Sequence, residues 1–276
     1  MFTRLLALCA VGSLSAWAAA GPLRIIHLGI HQIEDGPDVG DRVSFVPGEA
    51  IYLSFDVENY ALTKEQGVSI SWVIDAADPK GVAIVAPATG NKVATLQMED
   101  KDWLPRVRQT IVLPGPAPGG TYAIHIKVTD QNSKDTAVAD TKFSVSGLDL
   151  PPAPALLIRN FNFYRAEEDP QPMTSPTYRA GDTMFARFQI VGYKYGPGNA
   201  VEVTYGISIE AGGKVLYTQD PAVDEKSASF YPRPYIDANM SLSTAGTKPG
   251  EYMLVIKSND KVGNQIAEIR KPFHVE

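Results

Sequence analysis

The chain contains two successive copies of one sequence pattern, and this duplication constrains its fold more than any other feature. Residues 25–60 align with residues 158–193 without a gap, at a constant offset of 133 positions. After a three-residue insertion or deletion the offset becomes 130 and holds from residue 120 to residue 145. Identical aligned pairs include Gly48 and Gly181, Phe55 and Phe188, Tyr60 and Tyr193, Tyr122 and Tyr252, Asp130 and Asp260, and Phe143 and Phe273. Because a repeat of this length is a whole domain, we predict two domains of similar fold.

The first twenty residues have the three parts of a secretory signal peptide. Arg4 supplies the positive charge, residues 5–14 form an apolar run too short to span a bilayer, and residues 18–20 give a small-residue cleavage site. The only cysteine, Cys9, lies inside this segment, so the mature chain has no disulfide and no cysteine-ligated metal. We therefore predict an exported protein, periplasmic or extracellular, with no membrane span after signal cleavage.

Charge and composition then set the domain boundaries and exclude some partners. The formal net charge is −6 at pH 7, which argues against nucleic acid and anionic lipid as partners, because both bind basic surfaces. Prolines 151, 152 and 154 mark a short, stiff connection. The sequence predicts a signal peptide at 1–20, a first domain at 21–147, a proline-rich linker at 148–154 and a second domain at 155–276.

Within each copy, apolar residues alternate with polar ones, which is the pattern of strands with one buried face. One such strand carries Ile51, Leu53, Phe55 and Val57, and its copy carries Met184, Ala186, Phe188 and Ile190. Turn signals such as Pro47-Gly48 and Pro249-Gly250 separate the strands, and no stretch has a sustained helical period. The predicted fold class is all-β: two tandem antiparallel immunoglobulin-like β-sandwiches after a signal peptide.

Two aromatic positions support this choice, and the end of each copy resembles a known class of module. Trp72 and Tyr205 occupy mid-strand core positions, while Tyr122 and Tyr252 follow glycine turns where a tyrosine corner would place its hydroxyl on nearby backbone. The run 249–256, followed by 260–263 and 273–275, resembles the last two strands of bacterial immunoglobulin-like or fibronectin-III-like modules. That resemblance implies adhesion, spacing or ligand binding, and it implies no catalytic residues.

No catalytic motif is present in the sequence. It contains no G-x-S-x-G, no H-E-x-x-H, no P-loop and no G-x-G-x-x-G that opens a helix. His27 and His31 lie about 13 Å apart along one strand, too far for one metal ion. His125 and His274 alternate with core residues and point outward, so all four histidines are interpreted as solvated strand residues. We predict that the protein is not an enzyme and has no cofactor.

Acidic residues recur after the first strand of each copy. In the first copy they are Glu34, Asp35, Asp38 and Asp41, and in the second they are Glu167, Glu168 and Asp169. Calcium prefers oxygen-rich loops of this kind, although the spacing matches no EF-hand. The hypothesis is that Glu34, Asp35, Asp38 and Asp41 bind calcium weakly, and the alternative is a solvated polar loop.

One loop in each copy combines aromatic rings with arginine, a combination typical of recognition surfaces. The candidate ligand-binding residues are Trp103, Arg106, Phe230, Tyr231, Arg233 and Tyr235. The alternative is that these rings close the open ends of the sandwiches.

Taken together, these features favour an exported non-catalytic binding, adhesion or structural spacer protein of the bacterial cell envelope. Its partner would be an unidentified protein or glycan. Three alternatives stay open: a carbohydrate-binding protein that uses the aromatic loops, a periplasmic chaperone-like assembly factor, and an unrecognised hydrolase with a titrating carboxylate or histidine in a cleft. The second is disfavoured because residues 136–142 are small and polar, whereas such a chaperone presents large aliphatic residues there.

Overall fold

The computed structural model describes residues 21–40, 42–100, 102–148, 151 and 153–276, with only the backbone described for residues 220–224. The predicted signal peptide, Asp41, and three linker residues, Asp149, Leu150 and Pro152, lie outside the described residues. Strands of the N-terminal half are β1 (Arg24–His31), β2 (Ser44–Phe45), β3 (Ala50–Glu58), β4 (Gly67–Ala77), β5 (Ala88–Thr95), β6 (Arg106–Val112), β7 (Gly120–Asp130) and β8 (Thr136–Val145). Strands of the C-terminal half are β9 (Leu157–Tyr164), β10 (Thr177–Tyr178), β11 (Thr183–Val191), β12 (Val201–Ala211), β13 (Lys214–Ser227), β14 (Tyr235–Ser243), β15 (Gly250–Asp260) and β16 (Gln265–Val275). Two short 3₁₀ turns, Met98–Asp100 and Pro197–Asn199, complete the described elements.

Each half contains one three-stranded and one five-stranded sheet with the same strand order. The N-terminal sheets have the orders β1-β3-β6 and β2-β8-β7-β4-β5, and the C-terminal sheets have the orders β9-β11-β14 and β10-β16-β15-β12-β13. All pairings are antiparallel except two two-residue contacts, β2 with β8 and β10 with β16, which are parallel. The predicted all-β sandwich class is therefore confirmed, and the sequence repeat corresponds to a repeat in topology.

The apolar residues of each half gather in a core of their own. Phe45, Phe55 and Tyr122 have no exposed surface in the N-terminal core, and Met184 and Leu254 have none in the C-terminal core. In β3 the side chains of Ile51, Leu53, Phe55 and Val57 are all buried, as the alternation predicts. Burial of these alternating faces is the main force that holds each pair of sheets together.

Both predicted tyrosine corners are present. The Tyr122 hydroxyl donates a 2.7 Å hydrogen bond to the carbonyl of Pro118, and the Tyr252 hydroxyl donates a 2.7 Å hydrogen bond to the carbonyl of Lys248. In each case the acceptor lies four residues upstream, just before the glycine turn, so the bond fixes how the chain enters β7 or β15. The two copies therefore share this local device as well as their topology.

Replacing Tyr122 with phenylalanine is expected to lower the free energy of unfolding by about 1 kcal/mol at neutral pH, because one buried hydrogen bond is lost. Burial, and then the charge of Asp78, raise the pKa of Tyr122 to about 12. Since this folded-state value lies above the unfolded value of about 10, the tyrosine's contribution is complete below pH 10 and is lost as pH rises towards 12. Urea unfolding at pH 7 and pH 11 should therefore show that the free energy of unfolding falls less between these pH values in the variant than in the wild type. Tyr217→Phe, at an exposed tyrosine, is the control and should behave as the wild type does. A fall in the free energy of unfolding as large in Tyr122→Phe as in the wild type would contradict the prediction.

Candidate functional site

The aromatic loop of the C-terminal half is built into the N-terminal half. Tyr231 is buried, belongs to the hydrophobic core of the N-terminal half, and its hydroxyl donates a 2.8 Å hydrogen bond to Oδ2 of Asp78. Asp78 is buried as well, and its Oδ1 accepts hydrogen bonds from the backbone N–H groups of Lys80 and Val82, each at 2.8 Å. We call Tyr231, Asp78 and the turn at 78–82 the joint. Its tyrosine is shielded from a ligand, which corrects the expectation that this ring belongs to an open recognition surface.

The other predicted residues of that loop support the joint or lie beside it. Arg233 pairs with Glu225, and the Arg233 carbonyl accepts hydrogen bonds from the hydroxyls of Tyr193 and Tyr195. Burial, followed by the hydrogen bond to Asp78 and that residue's charge, raises the pKa of Tyr231 well above its usual range. Tyr235 is half-buried, whereas Phe230 is 56% exposed and is the one ring of the loop that is open to solvent.

The aromatic loop of the N-terminal half lies at the opposite end of its sandwich. Trp103 packs edge-to-face on Tyr60, and the Trp103 carbonyl accepts a 2.7 Å hydrogen bond from the Tyr60 hydroxyl. The next residue, Ala61, is hydrogen-bonded to Asp130, so this loop lies at the end of β7. Asp78 directly follows β4, whose last residue pairs with Ala123 near the start of β7. The seven residue steps from Ala123 to Asp130 separate these two ends by about 24 Å. The two predicted loops therefore do not form one surface.

The acidic loop after β1 is occupied by contacts within the protein. Asp35 forms a 2.8 Å ion pair with Arg108, and Asp38 Oδ1 accepts hydrogen bonds from the backbone of Ile30 and Gly40. The Arg108 guanidinium lowers the pKa of Asp35. Within the described ranges, which omit Asp41, no group of three or more histidine, aspartate or glutamate side chains is placed to hold a metal ion. Calcium binding by Glu34, Asp35, Asp38 and Asp41 stays a prediction.

The outer faces of the two three-stranded sheets carry a feature that sequence reasoning missed. In β1 and again in β9 the register slips by one residue, and the residue at the slip, His27 or Asn160, has a positive φ of 51° or 53°. Histidine and asparagine are among the few non-glycine residues that adopt this conformation readily. Each of these residues begins a row of three contacting side chains that crosses all three strands.

The N-terminal row, His27–Asp56–Arg106, is ionic. The Asp56 carboxylate lies 3.0 Å from Nδ1 of His27 and 3.3 Å from Nε of Arg106, so both of its oxygens are engaged. Arg106, predicted to contact a ligand, pairs with Asp56 and keeps 47% of its side chain exposed, so its contact with a ligand stays a prediction. Beside this row, His31 is buried with its Nε2 2.8 Å from Oγ of Ser54. The expectation of a solvated His31 is wrong, because the residue is buried against Ser54 at the end of β1, where the loop returns and the Val39 N–H donates a hydrogen bond to the Ile30 carbonyl.

The C-terminal row, Asn160–Gln189–Asp237, occupies the equivalent positions but is built from amides. Asn160 Nδ2 donates a 2.7 Å hydrogen bond to Gln189 Oε1, and Gln189 Nε2 donates a 3.0 Å hydrogen bond to Asp237 Oδ1. The row lies in an open cleft of about 380 Å³ that is also lined by Asn162, Tyr164, Arg187 and Asn239. We call this the amide cleft. A depression of about 120 Å³ in the N-terminal half contains the Asp35–Arg108 pair, and it is lined by none of the three members of the His27–Asp56–Arg106 row.

Arg187 forms a fixed wall of the amide cleft. Its guanidinium lies 4.1 Å from the centre of the Tyr164 ring and donates hydrogen bonds to the carbonyls of Glu167 and Asp169. The loop that carries the second acidic cluster is therefore held against the edge of the cleft by its backbone, and its acidic side chains are not the groups that bind Arg187. A planar cation stacked on an aromatic ring and bound to two carbonyls has little freedom left.

Sequence comparison gave no match to a family model and none to a curated protein. Structural comparison aligned 92% of this chain with 100% of the AgI/II polypeptide BspA C-terminal domain of Streptococcus agalactiae, at 9% identity and a TM-score of 0.30. It also aligned 92% of this chain with 17% of E. coli alpha-2-macroglobulin, at 10% identity and a TM-score of 0.28. This chain is similar to both at the level of β-rich architecture. In the part of the chain that the structure describes, no helix is long and apolar enough to cross a membrane.

Proposed function

We propose that the chain is an exported, non-catalytic binding or adhesion module of the bacterial cell envelope, in which two sandwiches act as one body. The observation that supports this most is the joint: Tyr231 of the C-terminal half is buried in the N-terminal half and bonded to buried Asp78. A buried contact of this kind opposes free rotation about the linker, so a surface on one sandwich is held at a fixed position relative to the other. That property suits a protein that binds a partner and spaces it from other parts of the envelope.

The test is direct binding of the chain from residue 21 onward to immobilised cell-envelope fragments of the source organism, followed by biolayer interferometry. We expect saturable binding that exceeds that of an unrelated β-sandwich of similar charge. Hydrolysis of a panel of chromogenic esters and glycosides, measured in parallel, should stay at the level of the buffer. Absence of binding, or turnover that depends on the protein, would overturn the proposal.

A further inference from the structure

We infer that the amide cleft of the C-terminal half binds a neutral oligosaccharide; this inference rests on the proposed binding function and names its ligand class. The outward side chains of the cleft are mostly amides. Each amide has both a donor and an acceptor, and so does each hydroxyl group of a sugar. A surface of amides spaced along neighbouring strands can therefore pair with several hydroxyls of one chain at once.

The hydrogen bonds within the row fix the orientation of its amides before any ligand arrives. Gln189 uses its oxygen for Asn160 and one N–H for Asp237, which leaves its second N–H directed away from the row. Asp237 likewise uses Oδ1 and keeps Oδ2 available. Groups that are already oriented lose little conformational entropy on binding, which raises affinity for a ligand that matches them. The three members of the row lie on adjacent strands, about 4.8 Å apart, a spacing comparable to the width of one sugar ring.

The charge and shape of the cleft favour a neutral carbohydrate over other ligands. One carboxylate, Asp237, and one guanidinium, Arg187, balance each other, so the cleft attracts neither an acidic polysaccharide nor a phosphate strongly. Peptides are usually anchored by apolar side chains in pockets. The outward residues Asn160, Asn162 and Asn239 offer no such pocket, whereas their amides can each donate and accept hydrogen bonds.

The equivalent position of the N-terminal half serves as an internal comparison. There the same three strand positions carry an ion triad in which both oxygens of Asp56 are already paired, one with His27 and one with Arg106. One scaffold thus carries a charged, internally paired row in one half and a row built mainly from amides in the other. This difference assigns the sugar site to the C-terminal half.

The experiment uses the chain from residue 21 onward and a panel of neutral hexasaccharides of glucose, mannose, galactose and N-acetylglucosamine, with heparin as the acidic counterpart. Affinity is measured by titration calorimetry for the wild type and for Asn239→Ala and Gln189→Ala. Asn239 is exposed and its side chain makes no hydrogen bond within the described ranges, so its removal leaves the fold intact. The matched control is Asn259→Ala, an exposed amide in a depression of about 370 Å³ on the five-stranded sheet of the same half.

We expect at least one neutral hexasaccharide to bind, heparin not to bind, and both cleft variants to lose about tenfold in affinity, the equivalent of one or two hydrogen bonds. Asn259→Ala should bind as the wild type does. A sugar whose affinity changes only in Asn259→Ala, or in none of the variants, would overturn the assignment to the cleft. If no neutral sugar binds while envelope fragments are still bound, the sugar inference fails and the proposed function stands; if neither is bound, the proposed function fails too.

Discussion

Alanine in place of Asp130 is expected to lower the free energy of unfolding of the N-terminal half by about 3 kcal/mol, and alanine in place of Asp260 to do the same to the C-terminal half. Both aspartates are almost completely buried. Asp130 accepts hydrogen bonds from the backbone N–H groups of Ala61, Asn132 and Ser133. Removal of the buried carboxylate leaves these partly buried backbone donors without their partner, and a hydrogen bond to a charged group costs more to lose than one between neutral groups.

The same set of contacts recurs around Asp260, which is why two equal effects are expected. Asp260 accepts hydrogen bonds from the backbone N–H groups of Lys194, Val262 and Gly263, and the first of these is the residue 133 positions after Ala61. Each aspartate therefore ties the loop after the second long strand to the turn between the last two strands.

Thermal unfolding followed by circular dichroism should show each variant melting roughly 10 °C below the wild type. Asp75→Ala, an exposed aspartate in β4, is the control, and it should change stability by no more than about 0.5 kcal/mol. A loss below 1 kcal/mol in both Asp130→Ala and Asp260→Ala would show that these carboxylates do not organise the loops.

Alanine in place of Tyr231 is expected to destabilise the N-terminal half, although Tyr231 belongs to the C-terminal half in sequence. The ring is part of the N-terminal core, so its removal should cost that half about 3 kcal/mol, while Tyr231→Phe, which loses only the hydrogen bond to Asp78, should cost about 1 kcal/mol. Trp72 and Trp103 are the only tryptophans after residue 20, so tryptophan fluorescence reports on the N-terminal half alone.

Urea unfolding followed by tryptophan fluorescence makes this prediction specific. The midpoint should fall in Tyr231→Ala although the substitution lies more than one hundred residues beyond either tryptophan. Phe230→Ala, at the exposed neighbouring ring, should leave the midpoint unchanged. If Tyr231→Ala left the fluorescence transition in place, the two halves would be independent and the joint would contribute nothing.

The sequence predicted well what depends on local alternation and on the repeat. The strand faces follow from a period of two, and the shared tyrosines after glycine turns indicated the two corners that bond Pro118 and Lys248. The repeat also paired Asp130 with Asp260, and two identical acids at the end of a core-facing strand were a signal of a shared structural role.

The contacts that sequence reasoning missed depend on geometry between distant segments. Tyr231 and Asp78 are 153 residues apart, and nothing in either local pattern shows that one half inserts a ring into the other. The row of Asn160, Gln189 and Asp237 depends on the bulge in β9, which a strict alternation does not contain. The repeat offset did place Asn160 over His27 and Gln189 over Asp56, so a search for paired outward positions would have found two members of each row.

The most direct test of two sandwiches that act as one body is a distance measurement across the joint. Because the chain has no cysteine after Cys9, single cysteines at the exposed positions Val93 and Val215 can carry spin labels, one on each half. Double electron–electron resonance should give one narrow distance distribution in the wild type and a broad one in Tyr231→Ala. A broad distribution in the wild type would contradict the joint, and with it the proposal that this chain binds and spaces as a single stiff module.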